Sequence, residues 1–162
     1  MHYHMRRKDR EITDRAGMMD VIRTEKFAVI ALCKESEPYL VTMSYGFDEA
    51  TETFYFHGAK QGQKIEFLKA NPKVCLTVIE DKGYQHGHCT HAYRSVVVRG
   101  EMLPVNDPEE RVKAIRIMIE QLETDQTKHL NMVHDPHSQW PGTQMFKLEI
   151  DAMTCKERSP VL

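Results

Sequence analysis

No apolar run in this sequence approaches the roughly 20 residues that a bilayer-spanning helix needs, and no apolar segment follows the first basic residues as in a secretion signal. A cytoplasmic protein with no membrane partner is therefore expected. An excess of one charge is missing too: 22 lysines and arginines face 24 aspartates and glutamates, for a formal net charge of -2. That argues against nucleic acid as a partner, since such binders carry a broad basic footprint. The one basic cluster, Arg6, Arg7, Lys8 and Arg10, is interrupted by Asp9 and followed by Glu11, so residues 1–10 read as a mobile, solvated arm. Cys33, Cys75, Cys89 and Cys155 lie far apart, as reduced thiols do, with no disulfide framework. No glycine-rich triphosphate loop, internal repeat or low-complexity stretch is present. With 162 residues, 41% of them hydrophobic, residues 1–162 suit one domain with its own core.

What is present is concentrated between residues 54 and 78. Phe54, Tyr55 and Phe56 form an aromatic, strand-like run that stops at His57, Gly58, Ala59 and Lys60. After Gly62, the spacing of Ile65, Phe67 and Leu68 among Lys64, Glu66 and Lys69 predicts a short helix. Asn71-Pro72 ends it, because proline has no amide proton and pushes the preceding residue out of helical geometry. Val74 to Ile79 then reads as a strand. A helix start carries partial positive charge and spare amide donors, so Lys60 before it and Lys64 in its first turn stand at the disfavoured end, by roughly 0.3–1 kcal/mol each. A bound anion would reverse that cost, and Gly58 and Gly62 let the backbone approach it. The residues point either to a phosphate seat or to an exposed helix start with two solvated lysines.

The rest of the chain surrounds this unit with strands. Ala16, Met19, Val21 and Ile22 predict a helix over 13–24, Phe27 to Cys33 a buried strand, and Ser36-Glu37-Pro38 a turn. Tyr39 to Gly46 alternates, with Tyr39, Val41, Met43 and Tyr45 on one face and Leu40, Thr42, Ser44 and Gly46 on the other. The second face narrows to small polar groups, fit for a flat ring or for solvent. Asp48 to Thr51 makes a hairpin into residues 54–56. Asp81 to Thr90 reads as a loop that lids a pocket; its His86, His88 and Cys89, with His91, invite a zinc reading, but no second ligand cluster stands at a familiar spacing and no metal is assigned. His2 and His4 read as incidental.

Ala92 to Leu103 predicts a long strand with a bulge or close approach at Gly100. Asp107-Pro108-Glu109-Glu110 opens a helix, with Val112, Ile115, Met118, Ile119 and Leu122 as its apolar face. Asp125 to Gly142 is irregular, and Trp140 within it either covers a pocket or pins the loop. Gln144 to Met153 closes the chain as a strand. Six strands and three helices with short strand-to-strand links give a mainly β protein, an antiparallel barrel with peripheral helices.

Five stretches carry a resemblance: MRRKDREI at 5–12, PYLVTMSYG at 38–46, FYFHGAKQGQKIEFLKANPKVCLTV at 54–78, CTHAYRSVVVRGE at 89–101 and FKLEIDAMTCK at 146–156. In this order they resemble the pyridoxamine 5′-phosphate oxidase-like split barrels, and among them the 5-nitroimidazole antibiotic resistance proteins. The resemblance implies a six-stranded antiparallel FMN-binding split barrel of Greek-key type, acting as a homodimer with two FMN molecules at the subunit interface. On the matching positions, Val41, Thr42, Met43, Ser44 and Tyr45 would run along the isoalloxazine. His57, Gly58, Ala59 and Lys60 would border the ribityl chain, Lys64 would meet the phosphate, and Ser95 would reach the flavin from its own or the partner subunit. The resemblance also implies a catalytic, proton-donating role for His57, beside the plainer reading of a strand-end histidine bonded to backbone. Two departures stand out: the histidine-rich loop at 86–91, and the segment TCKERSP at 154–160, whose only cations are Lys156 and Arg158 where vitamin oxidases are rich in arginine.

The function that follows is an FMN-dependent oxidoreductase passing electrons to a small-molecule acceptor, a nitroaromatic such as a 5-nitroimidazole being the family-based expectation. The alternative is a non-catalytic haem- or flavin-binding split barrel, since haem propionates would also accept the lysines and the spare histidines are candidate axial ligands. A zinc-binding regulator using His86, His88, Cys89 and His91 is a third reading.

Overall fold

The computed structural model describes residues 5–130 and 142–161. In chain order the elements are a 3₁₀ turn (Lys8–Arg10), β1 (Glu11–Ile12), α1 (Arg15–Thr24), β2 (Phe27–Lys34), β3 (Glu37–Asp48), β4 (Thr53–Ala59), α2 (Gln63–Ala70), β5 (Lys73–Gln85), β6 (Thr90–Pro104), α3 (Pro108–Leu122), α4 (Thr127–Leu130) and β7 (Thr143–Arg158). The strands lie in the order β1-β7-β4-β3-β2-β5-β6, and β6 pairs back onto β7. Strands β2 to β7 thus close a six-stranded antiparallel barrel, with β1 a short seventh strand on β7. None of the described helices is long and apolar enough to cross a membrane.

Alternation along the strands fills the barrel. Ala28, Ile30 and Leu32 of β2, Tyr45 of β3, Phe54 and Phe56 of β4, Leu76 and Val78 of β5, and Val96 and Val98 of β6 point into one core. A second, smaller core lies outside, where Ala114, Ile115, Met118 and Ile119 of α3 cover Tyr55 and Met145. α3 begins where its sequence says, with the Asp107 side chain accepting from the Glu110 amide at 2.7 Å. It lies so close to β3 that a Cβ on Gly46 would stand 2.7 Å from the Met118 amide nitrogen. Gly100 combines both expected features: the β6–β7 register shifts beside it, and a Cβ there would run into the Glu149 carbonyl.

Several sequence expectations need correction. The amino-terminal arm is tied down from Lys8 onward, because the 3₁₀ turn feeds β1 onto β7 at Glu11↔Lys156 and Ile12↔Cys155. Asp81 to Thr90 is not a loop: β5 and β6 stay paired to Gln85↔Thr90, past an irregularity between Asp81 and Tyr84, so the histidines sit at the tip of a ribbon. The turn after β2 falls at Glu35 and Ser36, both with positive φ, one residue earlier than expected. Part of the irregular stretch, Thr127–Leu130, is a short helix, while His2, His4 and Trp140 lie outside the described residues. Finally, β2 is buried on one face only. Phe27 is 53% exposed, and two further apolar residues on the outer face, Leu40 and Ile79, are 65% and 48% exposed. An apolar run normally signals burial on both faces, and here the outer one is open.

Candidate functional site

The site is built where two adjacent strands part. β3 and β4 pair from Asp48↔Thr53 only as far as Tyr45↔Phe56. Beyond that pair, Val41 to Ser44 remain bonded to β2 on their other side, and His57 to Ala59 remain bonded to β7. The facing edges of the two strands are left without a ladder, and unpaired strand edges present free amides and carbonyls to whatever enters. Sequence patterning shows two strands and a turn but no splay, which is set by the strand each one pairs with on its far side.

Alternation then sorts the candidate residues. Met43 and Tyr45 are buried in the barrel, and the Tyr45 hydroxyl donates to the Ile22 carbonyl at 2.7 Å, so with Val41 on the same inner face they offer a ligand only backbone. Burial raises the Tyr45 pKa well above its ordinary value and keeps the phenol protonated. Thr42 and Ser44 face outward and are exposed. They form an open strip of small hydroxyls that ends where α3 sits down on Gly46.

On β4 the alternation puts His57 and Gly58 on opposite faces. On one side, a Cβ at position 58 would overlap the Lys64 ammonium and lie 3.7 Å from Met43 Cε, so the glycine makes the space that the lysine occupies. Lys64 reaches back from the first turn of α2, whose start at Gly62 has φ 110 and no side-chain cap. Among the described residues Lys64 has no carboxylate partner, and burial lowers its pKa. A half-buried ammonium, uncapped helix amides and the nearby exposed Lys60 together form an anion seat. Ala59 is exposed and pairs with Thr143 of β7.

On the other side, His57 borders a cavity of about 390 Å³ whose far wall is the α3 stripe Ile115, Met118, Ile119 and Leu122. Burial, then the Lys64 charge, lowers the His57 pKa, so the imidazole is neutral at neutral pH. Its ring has no hydrogen-bond partner among the described residues. The cavity was not legible beforehand: the α3 stripe reads as a helix face packed on the core, and only the fold leaves part of it uncovered.

Ser95 stands apart. It is 6% exposed, and its hydroxyl has no hydrogen-bond partner among the described residues. Such an orphaned hydroxyl costs about 1–3 kcal/mol unless something satisfies it. Across the sheet it pairs with Ile79 and Lys156, three strands from β3, or about 14 Å at the usual strand spacing. Within one chain it does not meet Thr42 or Ser44. At the ribbon tip, Tyr84 packs edge-on against His86 and His91, and His91 pairs with Asp81 at 2.6 Å. Among the described residues, no three side chains of metal-binding type come together there or elsewhere.

The family described as pyridoxamine 5′-phosphate oxidase matches residues 14–157. The chain belongs to that family. The solved structure of a candidate 5-nitroimidazole antibiotic resistance protein from Bacteroides thetaiotaomicron superposes with a TM-score of 0.70 at 24% identity, covering 96% of each chain. A FAD-binding protein from Mesorhizobium loti superposes at 0.66 and 24%, covering 93% of this chain and 98% of its own. At these identities the likeness is one of fold, and it is the fold of this family. An uncharacterised protein of Rhizobium meliloti is 28% identical over 89 residues, 55% of this chain; the chain spans about half the length, 53%, of that curated relative.

Proposed function

We propose that this member of the pyridoxamine 5′-phosphate oxidase family is a flavin-dependent oxidoreductase that binds FMN and passes electrons to a small acceptor, with nitroaromatics such as 5-nitroimidazoles as the acceptor class. The observation that carries the reading is the Lys64 ammonium, half buried over Gly58 beside the parted ends of β3 and β4, with no carboxylate partner among the described residues. The residues fit the group. Lys64, Lys60 and the α2 amides would hold its phosphate, and the edge of Val41 to Ser44 would bond the ring, with the Thr42 and Ser44 hydroxyls alongside. When bound, the flavin supplies the electron-transfer chemistry. His57, neutral and free to donate or accept, would hold a proton beside the reacting end. The Mesorhizobium protein's binding of FAD supports a flavin in general.

The working unit in this reading is a cytoplasmic homodimer. Phe27, Leu40 and Ile79 leave one outer barrel face open and apolar, which a second copy would cover. The same arrangement would bring the partner's orphaned serine hydroxyl toward a flavin held by Lys64.

The test is a visible spectrum of the protein purified without added cofactor, repeated after addition of FMN and removal of the excess. Two oxidised-flavin bands, lost in Lys64→Ala, are expected. A single intense haem band, or no retained flavin under either condition, would overturn the reading in favour of a non-catalytic binding barrel.

A further inference from the structure

Strand alternation separates two chemistries within two residues of β4: Gly58 faces an ammonium, and His57 faces an apolar cavity. We propose that the cavity between α3 and the ends of β4 and β7 is the substrate pocket, and that it selects small neutral ring compounds and rejects phosphorylated ones. Its role as a substrate pocket rests on the flavin reading above; its choice of ligand does not.

Size is the first argument. About 390 Å³ lies at the small end of ligand pockets, enough for one substituted ring. Wall chemistry is the second. Ile115, Met118, Ile119 and Leu122 of α3 face Met145 of β7, which pairs directly with His57. Charge is the third: among the described residues lining the cavity there is no lysine or arginine, and the one formal charge is that of Glu123. A phosphate ester would lose its hydration there without gaining a cation and would meet a carboxylate, so its anion would move instead to Lys64 on the other face. The neutral imidazole of His57 gives a ring substituent something to bond without favouring an anion, and His129 lines the cavity nearby.

Position is the fourth. Gly46↔Tyr55 is an outward-facing pair, so the next residues on that face are Ser44 and His57. The open hydroxyl strip of β3 therefore runs directly to the cavity mouth, and a ring seated in the cavity would lie beside one lying along the strip.

Methionine methyl groups report the two sites separately. Met118 and Met145 line the cavity, while Met43 stands at the anion seat. With ¹³C-methyl methionine labelling of the flavin-free protein, 4-nitrobenzyl alcohol is expected to shift Met118 and Met145, and inorganic phosphate to shift Met43. The matched ester, 4-nitrobenzyl phosphate, is expected to bind the cavity at least about tenfold more weakly than the alcohol. Ile119→Trp, which fills the space, is expected to remove the alcohol's shifts and leave the phosphate response intact; Leu122→Phe serves if the tryptophan variant does not fold. Equal binding of alcohol and ester, shifts confined to Met43, or an unchanged response in the filled variant would overturn the proposal. Failure to retain FMN would sink the flavin reading and with it the role as a substrate pocket, but not the choice of ligand, because these shifts are read without it.

Discussion

The Lys64 ammonium occupies the volume that a Cβ on residue 58 would need. The two residues belong to different elements, β4 and α2, and their contact closes the turn at Gly62 over the parted edge of β3. Gly58 is not in the left-handed region, so alanine there is free of backbone strain and its effect is purely one of space. Lys64 is flexible and moves aside at little cost. Gly58→Ala should therefore change folding stability by less than about 1 kcal/mol while weakening FMN binding about tenfold, as read by flavin-fluorescence titration. A stability loss as large as the binding loss would mean that the glycine serves the strand and not the seat.

His57, the preceding residue of β4, adds a pH dependence. The His57 pKa lies below the ordinary 6.5, from burial first and the Lys64 charge second, so the unfolded chain binds this proton more readily than the folded one. Stability of the flavin-free protein should then fall as pH drops through 6.5 and level off once the pH is below the folded value. Urea denaturation at a series of pH values should show this slope in the wild type and a shallower one in His57→Gln. A bound phosphate, by placing negative charge beside both groups, should also make it shallower.

How far the sequence alone led depends on which physical rule governs each residue. The short helix at Lys64, the cap at Asp107 and the tight approach at Gly100 are local or glycine-specific, and periodicity reveals them. The parting of β3 from β4 is not local: it arises because β2 and β7 keep their hold on the two strands. Alternation along β3, by contrast, is local: it sets Thr42 and Ser44 apart from Val41, Met43 and Tyr45, and the structure shows the first pair exposed. The ribbon at Asp81 to Thr90 is not told from a loop by its sequence, because glycine and polar residues mark loops and long exposed hairpins alike. The cavity at His57 depends on how much of α3 the barrel covers, which no apolar stripe encodes.

Gly46 tests the placement of α3. A Cβ there would stand 2.7 Å from the Met118 amide nitrogen and 2.8 Å from its Cα, both backbone atoms of a helix that also carries the cavity wall. The helix must shift to accommodate Gly46→Ala, at a cost of about 1–3 kcal/mol. Thermal unfolding should show the loss, and binding of 4-nitrobenzyl alcohol should weaken with it, since Met118 and Ile119 move as one unit. Retained probe binding in a destabilised protein would place the ligand away from α3.

Ser95 tests whether the site is shared between two chains. Its hydroxyl is buried and unpartnered among the described residues, three strands from β3. If each flavin takes Lys64 from one protomer and Ser95 from the other, Lys64→Ala and Ser95→Ala each spoil both sites of their own homodimers. A mixed dimer then carries one site with both defects and one with neither. Random mixing makes about half of all dimers mixed, so about a quarter of all sites should recover full FMN affinity after the two variants are unfolded and refolded together. Sites formed within one chain would recover nothing. Leu40→Asp, which puts a charge into the open apolar face, should keep the protein monomeric in light scattering and abolish the recovery. Recovery that survives in a monomer would place Ser95 outside the flavin site.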